Sequence, residues 1–162
     1  MSNPLTVHMP EGEPYVHYER EFDFAVHQVF QAHVDPELFA QWIGPREMTT
    51  RIDTFEPRTG GAYRFVQSGD DGVDYAFHGL FHTVREDDFV LQTFEYEGYP
   101  DSVTLEYATF TDLPGGRSKL TGRSVFPSVE SRDGMASAGM EVGMSEGYDQ
   151  LDELLGKGLS TG

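Results

Sequence analysis

From Tyr15 onward the chain alternates: Val16, Tyr18, Phe22 and Phe24 share one parity, and His17, Glu19, Glu21 and Asp23 share the other. A period of two predicts a strand with one buried face, because successive side chains of extended backbone point to opposite sides. Arg20 breaks the pattern by standing on the apolar parity. The period then changes. Val26, Val29, Phe30 and His33 recur at helical spacing, and Asp35-Pro36 opens a second short helix carrying Leu38, Phe39 and Trp42. Asp caps that helix, and Pro suits its first position, where the missing N–H leaves no bond unmade. Gly44-Pro45 ends it. Residues 1–14 hold three Pro and no period, so they are expected to form a flexible arm ahead of one domain at 15–158, with a flexible tail at 159–162.

Between Met48 and Phe126 the turn-forming clusters Gly60-Gly61, Asp70-Asp71-Gly72, Arg85 to Asp88, Tyr99-Pro100-Asp101 and Leu113-Pro114-Gly115-Gly116 separate six candidate strands. That layout predicts an antiparallel meander. Tyr63 and Phe65 alternate with Arg64, and Phe77, Gly79 and Phe81 with His78 and His82, so the sheet has a ring face and a polar face. The ring face needs a cover. Residues 133–157 supply one, since Met140, Met144, Tyr148, Leu151 and Leu155 recur three and four apart and predict a long helix lying across the sheet. Gly139, Gly143 and Gly147 run beside that stripe, each costing about 1 kcal/mol relative to Ala in a helix interior. Close approach to the sheet is the preferred explanation, ahead of space for a ligand and of a contact between two copies.

Taken together, these residues resemble a known family. Arg20-Glu21-Phe22, Val29-Phe30, Asp35-Pro36-Glu37, Trp42, Gly44-Pro45, Gly60-Gly61-Ala62-Tyr63-Arg64, Gly79 before Phe81, and Gly139 to Met144 follow the order and spacing of the activator-of-heat-shock-protein-ATPase homologue family of START-like proteins. The resemblance implies an α+β helix-grip fold: a curved antiparallel sheet of about six to seven strands, two short helices after the first strand, and a long C-terminal helix across the concave face. It also implies that the space under the helix is hollow, where an unrelated sheet-and-helix domain would pack its rings solid. Members of the family include ligand carriers, polyketide aromatases and cyclases, and co-chaperone domains, so the fold does not choose an activity. One departure is Met144, at a place where the family often carries an aromatic residue; a thioether makes a softer wall.

Composition narrows the function classes. With 28 acidic against 11 basic residues the formal charge is −17, which repels phosphate backbones and anionic lipid. Nucleic-acid and membrane-surface roles are therefore not expected. The absence of Cys removes disulfides, thiolate metal sites and Cys nucleophiles, and the sequence shows no basic, apolar leader, so the protein is expected in the cytoplasm. Aromatic residues make up 13% of the chain, with 12 Phe and 8 Tyr, which suits a ring-rich core.

Candidate chemistry is sparse. Gly143-Met144-Ser145-Glu146-Gly147 reads G-x-S-x-G, but a nucleophile elbow needs a strand before it and a parallel sheet, and here the motif lies inside a helix. The six His residues form no metal-ligand spacing and there is no phosphate loop, so neither metal nor cofactor is expected. The ligand-binding candidates are the ring and thioether positions Phe30, Phe39, Trp42, Tyr63, Phe65, Phe77, Phe81, Met140, Met144 and Tyr148. Parity places two charged groups among them, Arg20 and Glu95, as candidate polar groups of the cavity; together with Tyr148 they are also the acid-base candidates for any reaction. The preferred reading is non-catalytic binding of a small hydrophobic molecule, lipid-like or aromatic. The alternatives are a co-chaperone-like partner-binding domain, then a cyclase or hydrolase, and the glycine-lined helix leaves a homodimer open.

Overall fold

The computed structural model describes residues 3–157. Residue 158 at the expected domain end, and the tail at 159–162, lie outside the described residues. The elements run β1 (Thr6–His8), β2 (Tyr15–Phe22), α1 (Val26–Val34), α2 (Pro36–Trp42), β3 (Thr49–Phe55), β4 (Ala62–Ser68), β5 (Asp74–Arg85), β6 (Phe89–Tyr96), β7 (Thr104–Leu113), β8 (Arg117–Val125), α3 (Val129–Ser137) and α4 (Met140–Gly156). The strands form one sheet in the order β1-β2-β8-β7-β6-β5-β4-β3, antiparallel throughout. α1 and α2 carry the chain from β2 to the far edge, and the meander from β3 then returns until β8 pairs with β2.

The six strands expected between Met48 and Phe126 are β3 to β8. Part of the expected arm is paired: Thr6, Val7 and His8 face Glu19, Tyr18 and His17, and Leu5 and Val7 pack against the core. Three residues between prolines are too short to show a period, which is why the pattern missed them. The Asp35 cap behaves as expected, its carboxylate accepting from the Glu37 and Leu38 N–H groups at 2.9 and 3.4 Å.

The C-terminal cover differs from the expected single helix at 133–157. Its first part starts earlier, at Val129, with the Ser128 hydroxyl accepting from the Ser131 N–H at 3.0 Å. The chain then breaks at Gly139, whose φ of 90° lies in the left-handed region that L side chains avoid. Gly139 is thus a junction residue and never pays an interior penalty. Gly147 explains itself differently from expectation as well. It approaches the turn after α2, where a Cβ would stand 3.3 Å from Trp42 O and Gly44 N. Beside it the Gln150 amide donates to Trp42 O and Gly44 O at 3.3 and 2.8 Å, so α4 is fastened to α2.

The core lies between the concave face and the helices. Phe22, Phe30, Trp42, Tyr63, Phe65, Phe81, Phe110, Leu120, Tyr148 and Leu151 are all buried there. Trp42 stacks on Tyr148 at 5.4 Å between ring centroids and donates its indole N–H to Ala32 O at 2.9 Å. This end of the interior is filled.

Candidate functional site

Register decides which side chains face inward. Pairing of Arg20 with Leu120, Phe110 with Leu120, Gln92 with Glu106, and Glu106 with Ser124 puts Arg20, Gln92, Glu106, Ser124 and Leu120 on the concave face. Val90, Phe110 and Leu120 on that face are only 3%, 4% and 1% exposed, so strand backbone contributes little surface there. Phe77, Gln92, Phe94 and Glu106 nevertheless keep partial accessibility. Among them Phe77 stacks on Phe94 at 5.3 Å and meets Tyr96 at 5.2 Å. Tyr96 in turn lines a groove of about 560 Å³ between the β6–β7 turn, Tyr99 to Ser102, and the α3 face, Ser128 to Met135. Small-molecule sites commonly fall in the range of about 300–1,000 Å³.

Glu106 is the acid of this interior. Ser124 Oγ donates to one of its carboxyl oxygens at 2.6 Å and Thr104 Oγ1 to the other at 2.5 Å. Burial pushes its pKa up to about 7, against the pull of those two donors, which favour the ionised form. Burial also raises the hydroxyl pKa of Tyr18, Tyr63 and Tyr148, with the charge of Glu106 a lesser cause at each. His33 on α1 is packed against Trp42 and Phe110 at 4.8 and 5.0 Å; its Nδ1–H donates to Val29 O at 2.7 Å, and its Nε2 has no partner among the described residues. Burial lowers its pKa to about 4, so the ring is neutral.

The candidates named from the sequence divide into three groups. Phe30, Phe39, Trp42, Tyr63, Phe65, Phe81 and Tyr148 are packed together in the filled half, whereas Phe77, Met140 and Met144 keep surface. None of the ten lines the groove at the β6–β7 turn. Arg20 is buried and faces α4, where it donates to Asp149 at 3.1 Å and lies 3.7 Å from Asp152; it holds the helix, and its guanidinium lies over Phe22 at 4.6 Å. Glu95 is on the other face. It pairs across strands with His78, whose Nε2 is 3.3 Å away, and accepts from the Asp101 N–H at 2.8 Å. Alternation alone could not choose a face on β6, because Phe89 and Leu91 on the parity of Glu95 are as apolar as Val90 and Phe94, and it is Val90, Gln92, Phe94 and Tyr96 that face inward. Arg20, Glu95 and Tyr148 therefore do not assemble as an acid-base set.

Glu106 and its row went unnoticed in the sequence because Leu105, Tyr107 and Thr109 on the opposite parity look as apolar as Thr104, Ala108 and Phe110. The signal available was a lone Glu alternating with Thr104, Ala108 and Phe110. On the convex face Arg64 bridges Asp53 and Glu97 at 2.9 and 2.8 Å, and His78 joins Glu97 at 2.8 Å. His27 stands 2.8 Å from Asp87 with Glu86 alongside, an exposed trio that no sequence spacing could reveal. Ser145 sits in the second turn of α4, away from any strand end, so the G-x-S-x-G motif forms no elbow.

The fold recurs in solved structures. A crystal structure from Rhodobacter sphaeroides is 24% identical, with a TM-score of 0.84, and covers 94% of this chain and 98% of that one. A Mycobacterium smegmatis protein gives 24% identity and a TM-score of 0.84 over 94% and 97% of the two chains. A solution structure from Arthrobacter aurescens gives 27% and 0.87 over 94% and 91%. No functionally curated protein matches the chain. At the level of sequence, residues 23–156, from the entry to α1 through the last turn of α4, match the model of the family described as "Activator of Hsp90 ATPase homolog 1-like protein". That match takes in both short helices, the returning meander and the covering α4, and the chain belongs to the Activator of Hsp90 ATPase homolog 1-like family.

Proposed function

We propose that the protein holds a small hydrophobic molecule, lipid-like or aromatic, between the concave face and the C-terminal helices, without acting on it chemically. The observation that carries this reading is the partial accessibility of Phe77, Phe94, Gln92 and Glu106 on a face where Val90, Phe110 and Leu120 are closed. Entry is at the α3 end, through the groove at Tyr96 and Ser102, because the α1–α2 end is shut by Trp42, Phe39 and Tyr148. Of the sequence-named residues, Phe77, Met140 and Met144 keep partial accessibility, and this reading assigns them contact with the occupant. Among the described residues no helix is long and apolar enough to cross a membrane. With no Cys to oxidise, a cytoplasmic site of action accords with the composition.

Native mass spectrometry of the gently purified protein is expected to show an adduct of small-molecule mass that disappears on denaturation. A thermal-shift panel of apolar and aromatic compounds should raise the Tm for a subset, by mass action on the folded state. A single unliganded mass together with no shift across the panel overturns the reading.

A further inference from the structure

We infer that Glu106 is the anchoring group of the cavity and that the molecule it holds is a protonated amine on an apolar body. This rests on the binding role proposed above and adds the class of ligand. Each carboxyl oxygen of Glu106 has one hydroxyl donor, from Ser124 and from Thr104, which fixes the group and leaves further lone pairs free. No Arg, Lys or His among the described residues forms an ion pair with it: on the same face Arg20 is turned to Asp149 and Asp152. A fixed, half-buried carboxylate lacking a cationic partner is costly, and a cation supplied by the ligand removes that cost.

The surroundings suit an ammonium group specifically. Aromatic rings on the same face, Phe94 paired with Thr104 and Phe77 stacked on Phe94, offer faces to a cation, and a charge-assisted bond to a carboxylate is stronger than a neutral one. The titratable groups on the elements around the concave face include Tyr18 and Arg20 of β2, His33 of α1, Tyr63 of β4, and Tyr148 of α4, with Asp149 and Asp152 of α4 held by Arg20. The three tyrosines and the histidine are neutral near pH 7, and Arg20 is already paired. A ligand carboxylate would meet Glu106 as a like charge in a desolvated site. The −17 net charge of the whole chain acts in the same sense, drawing cations toward the protein and turning anions away.

Three probes of matched skeleton test the inference: phenethylamine, phenethyl alcohol and phenylpropionate, titrated by amide chemical-shift perturbation at about pH 8, where the carboxyl is mostly ionised. The amine should perturb amides of β6, β7 and β8 and bind at least about tenfold tighter than the acid, the alcohol lying between. In Glu106→Gln the amine should weaken about tenfold and the alcohol by less than about threefold. A readout on the wild-type protein needs no variant: saturating amine should lower the titration midpoint of the Glu106 side-chain carboxyl carbon by about one pH unit, and saturating alcohol should not. If all three probes bind the interior equally, or the amine leaves that midpoint in place, the amine assignment is overturned while the binding role stands. If none of the three perturbs an interior amide, the amine assignment falls, and a blank thermal-shift panel would remove the binding role with it.

Discussion

The ring of Tyr18 lies across Gly122, its partner in the β2–β8 register: a Cβ on Gly122 would stand 2.0 Å from Tyr18 Cζ. The ring packs flat onto the neighbouring strand because nothing projects there. Gly122→Ala is therefore expected to destabilise the fold by about 1–3 kcal/mol, the range for forced overpacking. Urea unfolding reads the effect, and in a Tyr18→Ala background most of the cost of Gly122→Ala should vanish.

Arg20 ties the first long strand to the covering helix. Its side chain is buried, while Asp149 and Asp152 are 40% and 20% exposed, so removing the cation strands only partly solvated charges. Arg20→Ala is expected to cost about 3 kcal/mol, near the low end for breaking a buried pair. A double-mutant cycle with Asp149→Ala should return a coupling above about 1 kcal/mol; additivity would show that Arg20 acts through its contact with Phe22 instead.

Two half-buried groups, each desolvated by its surroundings, set opposing pH dependences. Glu106 has a folded pKa near 7, raised from 4.5, so the folded state holds more protons than the unfolded one between those values and stability falls as pH rises through them. His33 has a folded pKa near 4, lowered from 6.5, so the unfolded state holds more protons there and stability falls as pH drops from 6.5 toward 4. Each effect is on the order of 3 kcal/mol at full extent. In the wild type they should largely cancel from about pH 4.5 to 6.5. Glu106→Gln should expose a curve that rises with pH across that window, and His33→Phe one that falls. Unfolding free energies measured across pH check both; a Glu106→Gln curve parallel to wild type would contradict the assignment.

Gly143 and Gly147, one turn apart in α4, should respond in opposite ways. A Cβ on Gly143 would meet only Pro45 Cγ at 4.0 Å, so Gly143→Ala is expected to stabilise by up to about 1 kcal/mol through helix propensity. At Gly147 a larger side chain would press on Trp42 O and Gly44 N, and Gly147→Leu should destabilise by more than about 1 kcal/mol. Thermal unfolding of the pair distinguishes a packing glycine from an incidental one.

Elements with a clean period were legible in the sequence. The alternation around Tyr63 to Phe65, the Asp35-Pro36 cap and the Met140 to Leu155 stripe each correspond to a strand or helix of the structure. Three features were not legible, each for a physical reason. The pairing of Thr6–His8 depends on a partner strand and on no pattern of its own. The break at Gly139 is a single dihedral inside an otherwise helical period. Inward placement on β6 is fixed by pairing with β5, since Phe89 and Leu91 on one parity look as apolar as Val90 and Phe94 on the other. That ambiguity selected Glu95 and passed over Glu106, whose inward placement emerged only from three-dimensional pairing.

The strand order has a consequence for how the molecule assembles. β3 to β8 pair with their neighbours in sequence and can form from nearby segments, but β2 meets β8 through contacts such as Phe22 to Ser118, 96 residues apart. Closing so long a loop is entropically slow compared with forming hairpins. The meander is therefore expected to fold first, with β2 and then β1 added last. Until they arrive, Leu120, Gly122 and Ser124 form an open edge, and the nascent chain is most prone to mispairing with another copy at that stage.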